Sequence, residues 1–437
     1  MKIESGPIFF GPLFCLLSFM ETPQLIEHMA REAKTASVAL RTLSSATKNE
    51  ALAAMARAIL AQKTEIFAAN ARDVEKAREK GIEGALLSRM TLSDAKIEAM
   101  AEGCREVAAL PDPIGRVLSG EVRPNGLKIE KVSVPLGAIA VIYESRPNVT
   151  VDAAILALKS GNAVILRGGS EAIETNITLA RIIQNAASES GIPHNAIQIV
   201  ETTDRAAGAL LAQQDRYIDL IVPRGGEGLK TSLAKVATVP IIFAAGGVCH
   251  VYIDESAELK MALDIVLNSK TQGPSACNAA ETVLVHRAIA DHFLPLMART
   301  MTLAGVEMRG DVVARQIAPE MHEASEEDWD TEYLSLILAV RVVDSLDEAV
   351  AHISKHGTAH SEAIVTQNVR HAEEFLAKVD AAAVYVNAST RFTDGFEFGL
   401  GAEVGISTQK LHSRGPMGLE ALTTTKYVVR GDGQLRG

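Results

Sequence analysis

Four cysteines in 437 residues are too few for a disulfide framework, and none stands in a C-x-x-C pair. That scarcity fits a reducing compartment, so the expected location is the cytoplasm. No Cys/His group has the spacing of zinc ligands, because Cys249 and His250 are adjacent and would point opposite ways on a strand, so no metal is expected. Aromatic residues make up only 4%, and the net charge is −11. A nucleic-acid surface needs basic stripes and stacking platforms, so that class of partner is excluded. No apolar run is long enough to span a membrane. The run 7–20 is too short for a bilayer, and Glu4 spoils the basic flank of a secretion signal. Residues 1–19 therefore read as an upstream extension, with Met20 opening the protein. Also missing are G-x-G-x-x-G, a Walker A loop, G-x-S-x-G and H-E-x-x-H.

What is present is ample apolar content, 47%, in a chain too long for one core. Two domains are expected, with an added arm. Up to about residue 110 the pattern is helical. Thr47 and Glu50 read as a capping box, Ser93 reads as a second cap, and Cys104 falls on that helix's apolar stripe. From residue 136 short apolar runs alternate with helical stretches. Strands are expected at 138–143, 163–167, 197–200, 218–222, 241–244 and 251–254, with helices at 149–159, 173–187 and 228–237. A second series follows: helix 259–270, strand 282–286, helix 289–303, strand 338–343, helix 346–356 and strand 382–387. Repeated βα units predict an α/β fold with a doubly wound parallel sheet. The acidic stretch 320–330 reads as a solvated loop. Segments 127–134 and 423–429 alternate in polarity and are expected to pair as an oligomerisation arm, which predicts a homo-oligomer.

One stretch dominates the chemistry: Lys270-Thr-Gln-Gly-Pro-Ser-Ala-Cys277-Asn278. A cysteine after such a turn, just before a strand, can lie against backbone N–H groups and stay open to a cleft, which favours the thiolate. The bland alternative is a small buried hydrophobe; Cys249, opening an apolar strand, fits that description. Two glycine turns, Arg167-Gly168-Gly169-Ser170 and Arg224-Gly225-Gly226, each end a strand and lead into a helix. Such turns can cradle phosphate with backbone amides, although a Gly-Gly pair alone is ordinary punctuation. Two polar clusters read as binding loops: Glu144-Ser145-Arg146-Pro147-Asn148, and Asn387, Ser389, Arg391 and Asp394 followed by the glycine-rich stretch to Glu403. His352, His356 and His360 recur every four residues, but Gly357 interrupts the helix, so they read as a solvated helix end.

With these residues in view, the TQGPSACN setting, the block VPLGAIAVIYESRPNVTVDAAILALKSGNAVILRGGSEA and the tail YVNASTRFTDG…FGLGAEVGISTQKLHSRGPMGLEALTT together resemble the γ-glutamyl phosphate reductases of the aldehyde dehydrogenase superfamily. The resemblance runs from about Met20 to the C-terminus. It implies an aldehyde dehydrogenase-like fold and NADPH-dependent reduction of L-glutamyl 5-phosphate to glutamate 5-semialdehyde, in proline biosynthesis beside glutamate 5-kinase. Cys277 matches the catalytic cysteine. Arg167 stands at or beside a cation position near the adenosine ribose, which suits a 2′-phosphate and NADP. Glu332 resembles the glutamate that touches the nicotinamide ribose. Hydrolytic relatives carry a water-activating glutamate where this chain reads Ala244-Ala-Gly246-Gly247-Val-Cys-His250, so a thioester would persist. The Cys277 and Asn278 amides are expected to share the oxyanion with a side chain of the 145–148 stretch. Arg146, Asn148, Asn387, Ser389, Arg391 and Asp394 are the expected substrate contacts. Arg167, Gly168, Gly169, Ser170, Arg224, Gly225, Gly226 and Glu332 are the expected cofactor contacts. The implied division is 20–254 for the cofactor domain with an arm segment near 121–134, 255–395 for the cysteine domain, and 396–437 for a return segment and arm. The competing expectations are a hydrolytic aldehyde dehydrogenase and a non-catalytic scaffold of the same fold.

Overall fold

The computed structural model describes residues 21–244 and 246–436, the side chains of Ala85 and Glu227 aside. The expected upstream extension, Met20 and Cys15 lie outside the described residues. Among those described, no helix is long and apolar enough to cross a membrane.

A layer of helices opens the chain: Thr22–Leu40, Ser45–Ala61, Lys63–Glu79, Gly84–Met90 and Asp94–Ala109. Ser93 caps the last of these by accepting from the Lys96 amide. The expected Thr47 box is displaced, because Ser44 caps the second helix by accepting from Thr47 N and the helix begins earlier. A serine hydroxyl three residues upstream satisfies an N–H that would otherwise be orphaned.

The strands, in chain order, are β1 Val117–Val122, β2 Lys128–Pro135, β3 Ala138–Tyr143, β4 Ala163–Arg167, β5 Ile197–Ile199, β6 Leu220–Arg224, β7 Cys249–Ile253, β8 Ala280–His286, β9 Glu307–Gly310, β10 His322–Glu323, β11 Ile337–Val343, β12 Ser361–Val365, β13 Ala383–Val386, β14 Ile406–Ser407, β15 Gly415–Pro416 and β16 Thr423–Arg430. They form a four-stranded parallel sheet ordered β5-β4-β3-β6 and a seven-stranded parallel sheet ordered β10-β9-β11-β8-β7-β12-β13. The two-sheet α/β architecture is the expected one. Every residue of β3 is buried, as a run flanked by helices on both faces requires. The opening helices and the four-stranded sheet share one core, while two smaller clusters cover the seven-stranded sheet.

Several details depart from expectation. The strand at Cys249–Ile253 pairs with β8 and β12, so it opens the second sheet instead of closing the first. Local periodicity cannot tell which sheet a buried parallel strand joins. Residues 241–244 form no strand, only isolated bridges Ile221↔Ile241 and Ala244↔Ser407. The acidic stretch is not a solvated loop: it holds β10 and a 3₁₀ turn, Glu326–Asp330, with Asp328 and Trp329 buried. The three histidines are buried as well, with His352 packed edge-on against Trp329 and His250 and close to His356. β1, β2 and β16 form an antiparallel three-stranded arm in which β2 and β16 pair over their whole length.

Candidate active site

The helix Leu259–Thr271 ends at Gln272, and the chain then turns twice before β8. Ala276 N donates to Gly273 O, and Ala279 N donates to Ala276 O (3.0 Å each), which places Cys277 on the tight connection. Three other segments hold this loop through side-chain bonds. Thr390 Oγ1 donates to Asn278 O (2.7 Å), and Asn278 Nδ2 donates to the carbonyls of Thr393 (2.8 Å) and Arg391 (3.2 Å). Arg89 donates to Ser275 O (3.1 Å), Arg391 Nε donates to Gln272 Oε1 (2.7 Å), and Cys249 Sγ donates to Cys277 O (3.2 Å). Gly247 is packed so closely beneath the loop that a Cβ there would collide with Cys277 O. No acceptor among the described residues takes the amides of Cys277 or Asn278, so both remain available. The Asn278 side chain is spent on the loop at 391–393 and faces no ligand through its amide nitrogen.

Cys277 opens into a cleft of about 320 Å³. Arg146, Arg224, Gly225, Gly226, Cys277, Asn278, Glu332, Arg391 and Asp394 all line it, and all were singled out in the sequence. One wall is the C-terminal ends of β3 and β6, where open α/β sheets bind ligands. The other is the approach to the N-terminal ends of β7 and β8.

Three expected substrate contacts lie outside the described lining. Asn148 opens the helix Asn148–Lys159 and donates to Asp152 Oδ2 (2.9 Å). Asn387, with φ of +56°, bridges Thr366 through both amide atoms (2.9 Å each) and so fixes the turn after β13. Ser389 Oγ is buried against Ser269 Oγ (2.9 Å). Asn148 bonds within its own helix, whereas Asn387 and Ser389 bond to residues distant in sequence; no reading of composition distinguishes either kind of structural bond from a ligand contact.

The turn at Arg167, Gly168, Gly169 and Ser170 sits beside the cleft, at the end of β4. It is tied to the wall by Glu171, whose carboxylate accepts from Ser145 N (2.8 Å) and Ser145 Oγ. The other glycine turn is tied by Glu144, which accepts from Gly226 N (3.0 Å). A Cβ at Gly225 would stand 2.6 Å from that carboxylate, so this wall is built as close backbone. Arg167 Nε is buried with no partner, leaving donor capacity beside the turn. Glu332 Oε1 accepts from Gly247 N (2.8 Å), next to the cysteine loop. Close glycine backbone, an orphaned guanidinium nitrogen and a carboxylate beside the Cys277 loop form a donor and acceptor set of the kind a dinucleotide needs.

Electrostatics correct one expectation. Burial pushes the Cys277 thiol up to about 11; Arg224 and Arg146 pull it down, but Glu403 and Glu332 push it further up. The resting sulfur is thus a thiol, because desolvation outweighs the two cations. Burial also raises Glu403 to about 7 against the pull of Arg224, which lies 3.9 Å away, and Glu403 Oε2 has no partner. Burial, then Arg224 and Arg89, push the Arg146 guanidinium down to about 10.

Sequence reasoning missed Arg89 and Lys230 in the lining, read Ser275 only as part of the cysteine turn, and gave Glu144, Ser145 and Glu403 no individual role. Arg89 lies in a helix with no motif around it. The polar clusters at 144–148 and before Glu403 were the available signal for the other three.

The model of the aldehyde dehydrogenase family matches residues 20–331 and 317–428. A γ-glutamyl phosphate reductase of Moorella thermoacetica is 57% identical over 411 residues, which cover 94% of this chain and 98% of that one. One from Halothermothrix orenii is 54% identical, covering 95% of this chain and all of that one. The crystal structure of γ-glutamyl phosphate reductase from Thermotoga maritima superposes with a TM-score of 0.91 at 47% identity, covering 94% of this chain and 100% of that one.

Proposed function

The chain belongs to the aldehyde dehydrogenase family and, within it, to the γ-glutamyl phosphate reductases, and on that premise we propose that it reduces L-glutamyl 5-phosphate to glutamate 5-semialdehyde through a thioester on Cys277. It is an oxidoreductase, and members of its family use NAD or NADP. The observation that carries the reading is the placement of Cys277 in a cleft whose opposite wall carries two arginines at parallel strand ends.

The Cys277 sulfur attacks the acyl carbon and forms the S–C bond. The C–O bond to phosphate breaks, its electron pair leaves on oxygen, and the thiol proton ends on the departing phosphate. The Cys277 and Asn278 amides are free to hold the acyl oxygen as charge builds on it. Arg146 faces the leaving group, and Arg391 and Asp394 face the amino-acid head. Asn148, Asn387 and Ser389 hold the frame.

Arg167, Gly168, Gly169, Ser170, Arg224, Gly225, Gly226 and Glu332 are the residues that would hold NADPH, with Arg167 beside its 2′-phosphate. When bound, the reduced dinucleotide supplies the hydride that takes the thioester carbon to the aldehyde. The stretch 244–250 brings no carboxylate to activate water, which supports phosphate-linked over hydrolytic chemistry. The enzyme works in the cytoplasm on acyl phosphate made by a glutamate kinase. Exposed Val117, Leu118, Val122 and Tyr427 on the arm support a homo-oligomer.

The test is the reverse reaction. Purified enzyme given glutamate 5-semialdehyde and NADP⁺ must need inorganic phosphate to form NADPH. Turnover that proceeds equally without phosphate, with free glutamate as product, would establish the hydrolytic alternative instead.

A further inference from the structure

Four arginines line the cleft; besides Arg391, which Gln272 holds, Arg89 comes from the helix Gly84–Met90, Arg146 from the turn after β3, and Arg224 from the end of β6. Arg224 lies toward the Glu403 carboxylate, 3.9 Å away. Among the described residues, neither Arg89 nor Arg146 has a carboxylate within ion-pair distance, and Arg89 Nε is buried without any partner. Gathering guanidinium groups in a half-enclosed site costs free energy through desolvation and mutual repulsion, unless an anion completes it. The second hand of Arg89 identifies which anion. Its Nη2 holds Ser275 O (3.1 Å), two residues before Cys277, so the guanidinium is tied to the cysteine loop inside the same cleft.

We propose that Arg89 is a catalytic residue that binds the phosphoryl group of the acyl phosphate together with Arg146 and ties that binding to the cysteine loop through Ser275. This deepens the function proposed above and rests on it. A planar guanidinium suits the double task, since one edge can meet phosphate oxygens while another holds a carbonyl. As sulfur attacks and the C–O bond breaks, negative charge grows on the leaving oxygens, and Arg89 stabilises it without moving the loop. Arg89 also belongs to the opening helical layer, so phosphate binding joins that layer to the cysteine loop.

The experiment is steady-state kinetics of the reverse reaction, varying inorganic phosphate, with R89Q and R89K. Gln retains a donor for Ser275 O but no charge, and Lys retains the charge without the fork. R89Q should raise the KM for phosphate about tenfold to a hundredfold, with the KM for NADP⁺ changed less than about twofold and R89K in between. On the unaltered enzyme, phosphate should protect Arg89 from phenylglyoxal, read by peptide mass; this arm requires no variant to fold. An unchanged phosphate KM with lowered kcat would reduce Arg89 to a loop support, and a raised NADP⁺ KM alone would assign the cluster to the dinucleotide; either overturns the inference. Loss of phosphate dependence in the unaltered enzyme is a different failure, because it removes the function proposed above.

Discussion

The two sheets that frame the cleft solve the same problem with opposite materials. In the four-stranded sheet, β3 and β4 bury apolar side chains almost throughout, and their chemistry begins only where the strands end, in glycine turns latched by Glu144 and Glu171. The seven-stranded sheet, with the helix Leu259–Thr271 packed on it, buries ionisable side chains in pairs. Lys270 and Glu281 pair with no exposure, and His250 Nδ1 meets Glu362 Oε2 at 3.0 Å, also fully buried. A wall of backbone offers shape and amide donors and tolerates no added atoms. A wall of buried side chains offers fixed orientation and depends on each partner being present.

The largest break comes at the point where the second wall delivers its sulfur. C277A should lower turnover at least about a thousandfold, while NADPH binding followed by fluorescence titration stays intact, because the contacts proposed for the dinucleotide lie mainly on the other wall. Retained turnover would remove the covalent route.

Next, the buried pair can be tested by halves. K270M leaves Glu281 alone in the interior, where burial already lifts its carboxyl to about 7. Denaturant unfolding should report a loss of about 3–5 kcal/mol, with most of it recovered in K270M/E281L. Glu281 also accepts from Leu334 N (3.3 Å), in the loop bearing Glu332, so kcat should fall in the single variant.

The glycine wall should respond differently. G225A places a methyl 2.6 Å from the Glu144 carboxylate and 2.8 Å from Leu229. An overpacking cost of about 1–3 kcal/mol, confined to the turn, corresponds to a rise of about fivefold to a hundredfold in the KM for NADPH. The melting temperature should move little. If melting falls as far as in K270M, the contrast between the two walls is wrong.

The smallest effect lies away from the cleft, in the acidic stretch. Burial opposes ionisation of Asp328, but hydrogen bonds from Tyr333, Arg309 and Ser325 prevail and hold its carboxyl at about 2. A depressed carboxyl stabilises the fold above its ordinary value of 3.8 and loses that contribution as pH falls toward 2. D328N should therefore cost about 1–2 kcal/mol at neutral pH, and the gap to the unaltered protein should close below about pH 4.

How much was legible follows the same division. The four-stranded sheet could be read from sequence because long apolar runs and glycine turns are local signals; the bounds of β3 and β4 are the expected ones. The cysteine loop could be read for the same reason. β12 was missed because its first two residues, Ser361 and Glu362, are buried but polar, leaving an apolar run too short to register. The buried histidines misled because their surroundings come from strands and turns far away in sequence, and no spacing rule carries that information. Arg89 joins the cleft only through the packing of a helix whose own sequence is unremarked.

The closeness of Gly247 to the Cys277 carbonyl has a practical consequence for anyone who would retool this enzyme for other acyl groups. A randomised library at 247 should return glycine almost alone, since any larger residue pushes on the Cys277 peptide bond. Room for a bulkier acyl chain has to be sought elsewhere in the lining instead, at residues such as Asp394 and Glu403, whose side chains can be shortened.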